Sequence, residues 1–437
     1  MIHIELPLSK SQVNRALIIM ASKGNLTTWL SDNPDLISRG CRDTRLLIEA
    51  LCKHSQGDSV VDFQDAGTPS RLFTAFAATQ FNKPIQITGN QSLQGRKISP
   101  LVEALRSMGA SIEYCGKEGF PPIHIQKRIE QWRDVQISAA VSSQFASALI
   151  LMSPMYSGSK KITLTEITHS QGYVDLTIQS LKQIGIEISS KYVRETREIV
   201  VDGSYETIVT PTREQLNLEA DWSAAAFFYP LLLGLKKVNS ILLEGLNAQS
   251  EQGDVHLQWL GNLLDINTIQ HPEGVVIQRS ASNYEIPEES DDGSDEEPHD
   301  EEPHDELMLV DLGNNPDLVP ALVVGWCIQG KSMILQGIEN LRYKECDRIA
   351  ALQNNLKGIH CTLEPWHDGG EDMWLLNAEN RLFPSQLHIE TYEDHRIAMA
   401  FSALSPWVQD LTFSNSHCVE KSFPSYWEQW KKCTFEM

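Results

Sequence analysis

Three segments of the chain share one pattern. LVEALRSMGASIEY (101–114), LTIQSLKQIGIEISS (176–190) and LQNNLKGIHCTLE (352–364) each place apolar residues at helical spacing, then a glycine, then apolar residues in alternation. Such a segment buries one face of a helix, ends it on a glycine free to take the left-handed conformation, and buries one face of the strand that follows. Weaker copies occur in LLIEALCKHSQGDSVVDF (46–63) and HLQWLGNLLDINTIQ (256–270). At least five related helix-then-strand units predict an internally repeated α/β protein rather than one doubly wound sheet. Gly109 and Gly185 are 76 positions apart, too far for a solenoid, so each unit has room for two helices and several strands.

A chain of 437 residues exceeds the size at which one hydrophobic core keeps growing, which predicts two domains of roughly 200 residues each. No apolar run reaches the ~20 residues needed to cross a bilayer, and the first residues lack the basic and apolar regions of a secretion signal. A cytoplasmic protein is expected. The eight cysteines are scattered without a C-x-x-C pair, which argues against a zinc site and a disulfide framework.

The formal net charge of -22 disfavours nucleic acid or an anionic membrane as partner, since either calls for a basic face. Thirteen of the acidic residues fall in EIPEESDDGSDEEPHDEEPHDE (285–306), which holds no Lys or Arg, and without it the charge is -9. This tract repels itself and lacks apolar anchors, so a disordered surface insertion is expected. Its two histidines lie among carboxylates, but closing so flexible a tract round an ion costs chain entropy, and no metal site is assigned there.

Glycine-rich nucleotide loops, G-x-S-x-G and H-E-x-x-H are all missing from the sequence. Cations instead gather with hydroxyls and amides in short stretches: LSKSQVNRAL (8–17), DAGTPSR (65–71), LQGRK (93–97), VSSQF (141–145), NLRYKECDR (340–348), YEDHR (392–396) and EKSFPSYW (420–427). In the first, Ser9 or Ser11 is expected to cap a helix, with Lys10 and Arg15 either on its wet face or gripping an anion at its start. In NLRYKECDR a helix would put Lys344 and Arg348 on one face, four apart, with Glu345 three before Arg348. That pattern suits either a surface salt-bridge ladder or an anionic substrate, with Glu345 in proton transfer.

The series KSQVNR, DAGT, SSQF, NNPD, NLRYKECDR, DHRIAM and KSFPSYW resembles, in order and nearly end to end, the motif series of the 5-enolpyruvylshikimate-3-phosphate synthase family. The resemblance implies an α/β fold of two similar domains, each of three βαβαββ units, an enolpyruvyl-transferase-like inverse α/β barrel closing as a clamshell. It also implies that residues 1–9 join the second domain, with domains at 10–221 and 222–437. The implied reaction joins shikimate 3-phosphate and phosphoenolpyruvate and releases phosphate, in a monomer without metal or organic cofactor.

By motif, Lys10, Ser11, Arg15, Ser142, Ser143, Gln144, Ser170, Tyr173, Asp317, Asn340 and Lys344 would bind shikimate 3-phosphate. Lys10, Gly67, Arg96, Gln144, Arg348, Arg396 and Lys421 would bind phosphoenolpyruvate. Asp317 would take the proton of the attacking hydroxyl, Glu345 would protonate the methylene carbon, and Lys10 would lie between the substrates. Gly67 leaves room where a methyl group would crowd inhibitors resembling phosphoenolpyruvate, so sensitivity to glyphosate is expected.

The chain departs from the family pattern at several positions. Asp65 stands where many members have Asn and is expected to weaken phosphoenolpyruvate binding; Leu8, Lys97, Gln171 and Gly172 also differ, and the acidic insertion is extra. Two rivals differ in acceptor or in class. Transfer to UDP-N-acetylglucosamine would call for Asn after the N-terminal Lys and for a reactive loop cysteine, where this chain has Ser11 and a Cys115 lacking that context. A binding protein of the same fold would have lost the catalytic residues, which are present.

Overall fold

The computed structural model describes residues 1–56, 59–140, 142–167, 171–280, 307–366 and 372–434; the acidic tract 285–306 and Ser170 lie outside the described residues. The repeat read from the sequence is a βαβαββ unit. Strand Val60–Asp62 leads through helix Gly67–Gln80 to strand Ile85–Thr88, then through helix Ser99–Ser107 to the strands Ser111–Tyr114 and Ile123–Lys127. The first two strands pair in parallel, the second pairs antiparallel with the fourth, and the third lies at the edge beyond the fourth. The same order recurs in a sheet built from Val135–Ser138, Ser159–Thr165, Glu187–Val193 and Thr196–Asp202. It recurs again from Met308–Asp311 to Met373–Asn377.

A fourth such sheet has a displaced first strand. Ile2–Glu5, at the start of the chain, pairs in parallel with Ser240–Glu244, and the strands Ile266–His271 and Gly274–Arg279 complete the set. The last unit is shorter, with Gln386–Ile389 parallel to Asp410–Phe413 around helix His395–Phe401. The described residues therefore hold four complete four-stranded units and one two-stranded unit, against the expected six.

Helices rather than sheets fill the middle. Val319–Gln329 (VPALVVGWCIQ) is buried at every position, and so are Phe228–Gly234 and His395–Phe401. The first two are almost wholly apolar, so they have no face for water and are driven into the interior, whereas the third buries its His395 and Arg396 at the end that lines a cavity, with Arg396 paired to Asp317. These three pack around one core, which also takes in Ile4 and Leu6 from the first strand. Lys10–Ser22, Gly67–Gln80 and Ser143–Met152 pack around a second core running from Leu8 to Leu216. The chain passes between the cores at two adjacent points, where Ser9 N–H donates to the Glu219 carbonyl at 2.9 Å and Asp221 N–H to the Pro7 carbonyl at 3.0 Å.

Two of the glycine signals hold as read: Gly109 and Gly185 have φ of +107° and +90° at their helix ends. The third does not. At 352–364 the left-handed residue is His360, φ +56°, while a Cβ on Gly358 would lie 2.5 Å from Leu387 Cδ1. Gly358 therefore provides clearance for packing rather than a turn. In the weaker copy at 256–270 Asp265 takes the left-handed position, φ +55°, and Gly261 lies inside helix Leu257–Asn262.

Candidate active site

A cavity of about 890 Å³ lies between the two cores. Its lining contains fourteen of the residues singled out in the sequence: Lys10, Ser11, Arg15, Arg96, Ser142, Ser143, Gln144, Tyr173, Asp317, Asn340, Lys344, Glu345, Arg348 and Arg396. Gly67 and Lys421 stand at its margin. A Cβ on Gly67 would meet Arg96 Nη1 at 3.1 Å, and Lys421 Nζ is 4.0 Å from Glu345 Oε1. Ser170 falls outside the described residues.

On the first side of the cavity the groups are mostly hydroxyls and amides at helix starts. Ser142 caps helix Ser143–Met152 by accepting from the Gln144 N–H at 3.2 Å, which sets Ser143 and Gln144 on the first turn beside the cavity. Gln144 Oε1 in turn accepts from Arg71 Nη1, and the Arg71 guanidinium lies 5.0 Å above the Phe145 ring. Lys10 opens helix Lys10–Ser22, but Ser9 makes no capping bond; the Lys10 N–H donates instead to Asp221 Oδ2 at 3.2 Å, from across the sequence. Lys10 Nζ rests on Asp43 Oδ2 at 3.2 Å.

Arg15 is more heavily engaged by protein than the sequence suggested. Its guanidinium donates to Thr177 Oγ1 at 2.8 Å, the Ser11 carbonyl at 2.7 Å, Ser147 Oγ at 3.2 Å and the Tyr173 carbonyl at 2.8 Å. Of the five N–H groups of an arginine, one is left for a ligand.

The second side is a lattice of carboxylates and guanidiniums. Arg348 is 1% exposed and bridges three acids: Nε to Asp394 Oδ2 at 2.7 Å, Nη1 to Asp317 Oδ1 at 2.9 Å and Nη2 to Glu345 Oε2 at 2.7 Å. Asp317 also takes Arg396 Nη2 at 2.9 Å, the Tyr173 hydroxyl at 2.9 Å and Lys344 Nζ at 3.6 Å. Asp394 caps helix His395–Phe401. The expected single helix through Lys344 and Arg348 is not formed: a 3-10 turn covers Glu339–Tyr343, and the α-helix Arg348–Leu356 starts only after Asp347, which caps it by accepting from the Ala350 N–H at 3.0 Å. Lys344 and Arg348 meet by both reaching Asp317, not by helical spacing.

The electrostatics follow from this crowding. Burial pushes the Asp317 and Glu345 carboxyls up, but the surrounding cations outweigh it and hold both well below the usual carboxylate range: Arg396, Lys344 and Arg348 for Asp317, and Arg348, Arg96 and Lys421 for Glu345. Asp254 has the opposite balance. Burial, and then the negative charge of Asp317, raise it to about 6 against the bonds from Ser223 and Asn315. Asp65 is held below the usual range: burial pushes it up, but the paired Lys421 and Arg42 prevail. The expected excess charge at Asp65 is thus already countered by two cations.

Arg71, Asp43, Asp394 and Asp254 belong to this network without having been assigned roles from sequence. Arg71 and Asp394 lie inside two of the cationic stretches and could have been found there; Asp43 and Asp254 carry no local signal, because their partners Lys10 and Asn315 are distant in sequence. Among the described residues, buried polar atoms without a hydrogen-bond partner here include Asn340 Oδ1, Asp43 Oδ1 and both ring nitrogens of His395.

The sequence model of EPSP synthase (3-phosphoshikimate 1-carboxyvinyltransferase) matches residues 40–430. A 3-phosphoshikimate 1-carboxyvinyltransferase of Bacteroides fragilis (strain YCH46) is 32% identical, over 99% of this chain and 95% of the relative. The chain belongs to the EPSP synthase family. A 3-phosphoshikimate 1-carboxyvinyltransferase of Vibrio vulnificus (strain YJ016) is 28% identical over 98% of this chain and 95% of its own. Among solved structures, EPSP synthase from Acinetobacter baumannii is similar in fold, with a TM-score of 0.63 at 20% identity, covering 99% of this chain and 95% of that one. The enolpyruvyl transferase NikO from Streptomyces tendae matches with a TM-score of 0.60 at 11% identity, over 99% and 94% of the two chains. The EPSP synthase assignment rests on sequence; the structural matches extend the two-core α/β architecture to more distant enolpyruvyl transferases. Among the described residues no helix is long and apolar enough to cross a membrane.

Proposed function

We propose that the chain is an enolpyruvyl transferase that moves the enolpyruvyl group of phosphoenolpyruvate to the 5-hydroxyl of shikimate 3-phosphate and releases phosphate. The observation that carries this proposal is the convergence of Lys10, Arg96, Lys344, Arg348 and Arg396 with Asp317 and Glu345 on one cavity. Two substrates with two phosphates and two carboxylates repel each other in water, and a ring of fixed cations offsets that repulsion while aligning the reacting atoms. The Ser142–Gln144 side would hold the phosphate of shikimate 3-phosphate; Asp317, Asn340 and Lys344 its ring; Arg96, Arg348, Arg396 and Lys421 phosphoenolpyruvate.

In the addition step the 5-hydroxyl oxygen bonds to C2 of phosphoenolpyruvate as its proton passes to Asp317 and C3 takes a proton from Glu345. The product is a tetrahedral ketal phosphate. In the elimination step C3 gives a proton back to Glu345, the C2–O bond to phosphate breaks with the phosphate leaving together with the proton held by Asp317, and the enolpyruvyl ether forms. Without substrate both acids are ionised, held so by the cations they touch. Phosphoenolpyruvate anions on Arg96, Arg348 and Lys421 would draw those cations off Glu345 and add negative charge beside it, raising its proton affinity at the moment it must serve as an acid.

Residues 10–221 and 222–437, with 1–9 joining the second, are taken as two bodies that close over the substrates to exclude water. The two separate cores and the two adjacent chain crossings support this division. A monomer in the cytoplasm completes the proposal. Phosphate release from shikimate 3-phosphate plus phosphoenolpyruvate by purified protein tests it. No turnover, with the fold intact by circular dichroism, refutes it in favour of a binding protein; turnover with UDP-N-acetylglucosamine alone refutes it in favour of the sister transferase.

A further inference from the structure

Lys421 is 2% exposed, and an ammonium has three N–H groups to place. Two are given to one residue: Asp65 accepts at its Oδ2, 2.6 Å away, and at its main-chain carbonyl, 3.0 Å away. The next acids, Asp43 Oδ1 at 3.9 Å and Glu345 Oε1 at 4.0 Å, are beyond hydrogen-bond reach, so the third N–H is the one available to an anion in the cavity. The other oxygen of the Asp65 carboxylate accepts from Arg42, which is 41% exposed and belongs to helix Arg42–Gln56. Asp65 belongs to the segment entering helix Gly67–Gln80, which packs on the core running from Leu8 to Leu216, whereas Lys421 is flanked by Val419 and Phe423 of the other core. The link between them therefore spans the two halves.

We propose that Asp65 is a positioning residue that aims Lys421 at the phosphoenolpyruvate end of the cavity, and that Arg42 is the counter-charge that lets an aspartate serve there. This rests on the transferase function proposed above. Asp43, Asp65 and Glu345 lie within 4.0 Å of one ammonium. Asp43 has Lys10 at 3.2 Å and Glu345 has Arg348 at 2.7 Å as further cations; Arg42 does the same for Asp65. With Arg42 removed, Asp65 keeps Lys421 to itself, and an incoming carboxylate or phosphate must compete with it.

The test is a double-mutant cycle on the full chain, with wild-type turnover as the control for the function itself. Arg42→Ala is expected to raise KM for phosphoenolpyruvate about tenfold, with kcat and KM for shikimate 3-phosphate within about twofold. Arg42→Lys restores the wild-type value. In an Asp65→Asn background, where no charge needs balancing, Arg42→Ala changes KM for phosphoenolpyruvate less than about twofold. Asp65→Asn alone keeps an acceptor for Lys421 and stays near wild type, whereas Asp65→Ala loses it and raises the same KM several-fold. An equal effect of Arg42→Ala in both backgrounds, or an equal rise in both substrates' KM, overturns the proposal, and so does Asp65→Ala matching Asp65→Asn. If Arg42→Ala does not fold, Arg42→Gln carries the same comparison. Wild type without turnover would count against the transferase function, not against this pairing, whose coupling then appears in the affinity for phosphoenolpyruvate measured by calorimetry.

Discussion

The two sides of the cavity meet anions in different ways. Around Ser142, Ser143 and Gln144 the chain presents hydroxyls, amides and the start of helix Ser143–Met152, whose first turn carries no acidic residue. Across the cavity, Asp317, Glu345 and Asp394 already bind the guanidiniums that would meet substrate. The Ser142–Gln144 patch presents donors on a helix turn that carries no acid; the second side is a lattice in which Arg348 is shared by three carboxylates and Asp317 by three cations. A change on the first side should cost binding, and a change on the second should cost turnover and stability together.

The largest effect is expected at Arg348. Arg348→Ala removes the cation shared by Asp317, Glu345 and Asp394 and takes from the fully buried Asp394 its guanidinium partner, so denaturant unfolding should show a loss of about 3–5 kcal/mol together with loss of activity. Arg348→Lys should not recover it, since a point charge cannot reproduce the three-way fork. Glu345→Gln comes next: turnover should fall about 10²–10⁴-fold, with substrate affinities by calorimetry nearly unchanged. Full turnover in that variant would remove Glu345 from proton transfer. Lys10→Ala, between the two sides, should weaken both substrates and also lower turnover, each by about tenfold or more. On the first side, Ser142→Ala loses a cap and, on the function proposed above, a contact to the phosphate of shikimate 3-phosphate: about 1 kcal/mol of stability and a higher KM for that substrate are expected, with kcat little changed. A fall in kcat there as large as at Glu345 would erase the contrast.

A further prediction concerns pH. The Asp254 carboxyl is raised to about 6 from an ordinary 3.8, so the folded state holds its proton more tightly than the unfolded chain. Ionising it costs stability; the cost is absent below about pH 4, grows as pH rises through the window, and is complete above about pH 6. Asp254→Asn should therefore gain stability relative to wild type between pH 4 and 6, read from denaturation midpoints across that range. A parallel pair of curves would show that Asp254 does not titrate there.

Much of the site was legible because its motifs are contiguous: SSQ, KECDR and DHR each deliver several groups from one turn of chain. What was not legible came from pairing between distant segments. Asp43 and Asp254 look like ordinary surface acids until the fold puts Lys10 or Asn315 against them. The helix start at Lys10 offered two serines as caps, yet Asp221 satisfies the Lys10 N–H, because the crossing at 216–221 runs alongside it. The spacing of Lys344 and Arg348 suggested one helical face, but Asp347 capping at Ala350 fixed a later start.

The sequence by itself determined the repeated α/β units, since the change of apolar period from helix to strand is a local property, and it determined the set of cations with their hydroxyl and amide neighbours. Only the tertiary structure decided which carboxylate neutralises which cation. Coulombic pairing depends on distances of 3–4 Å in a buried, weakly screening site, and such distances are set by how the two cores face each other rather than by order along the chain. That position 358 needs a glycine for packing was decided in the same way, by the space that Leu387 occupies, while the left-handed turn falls at His360.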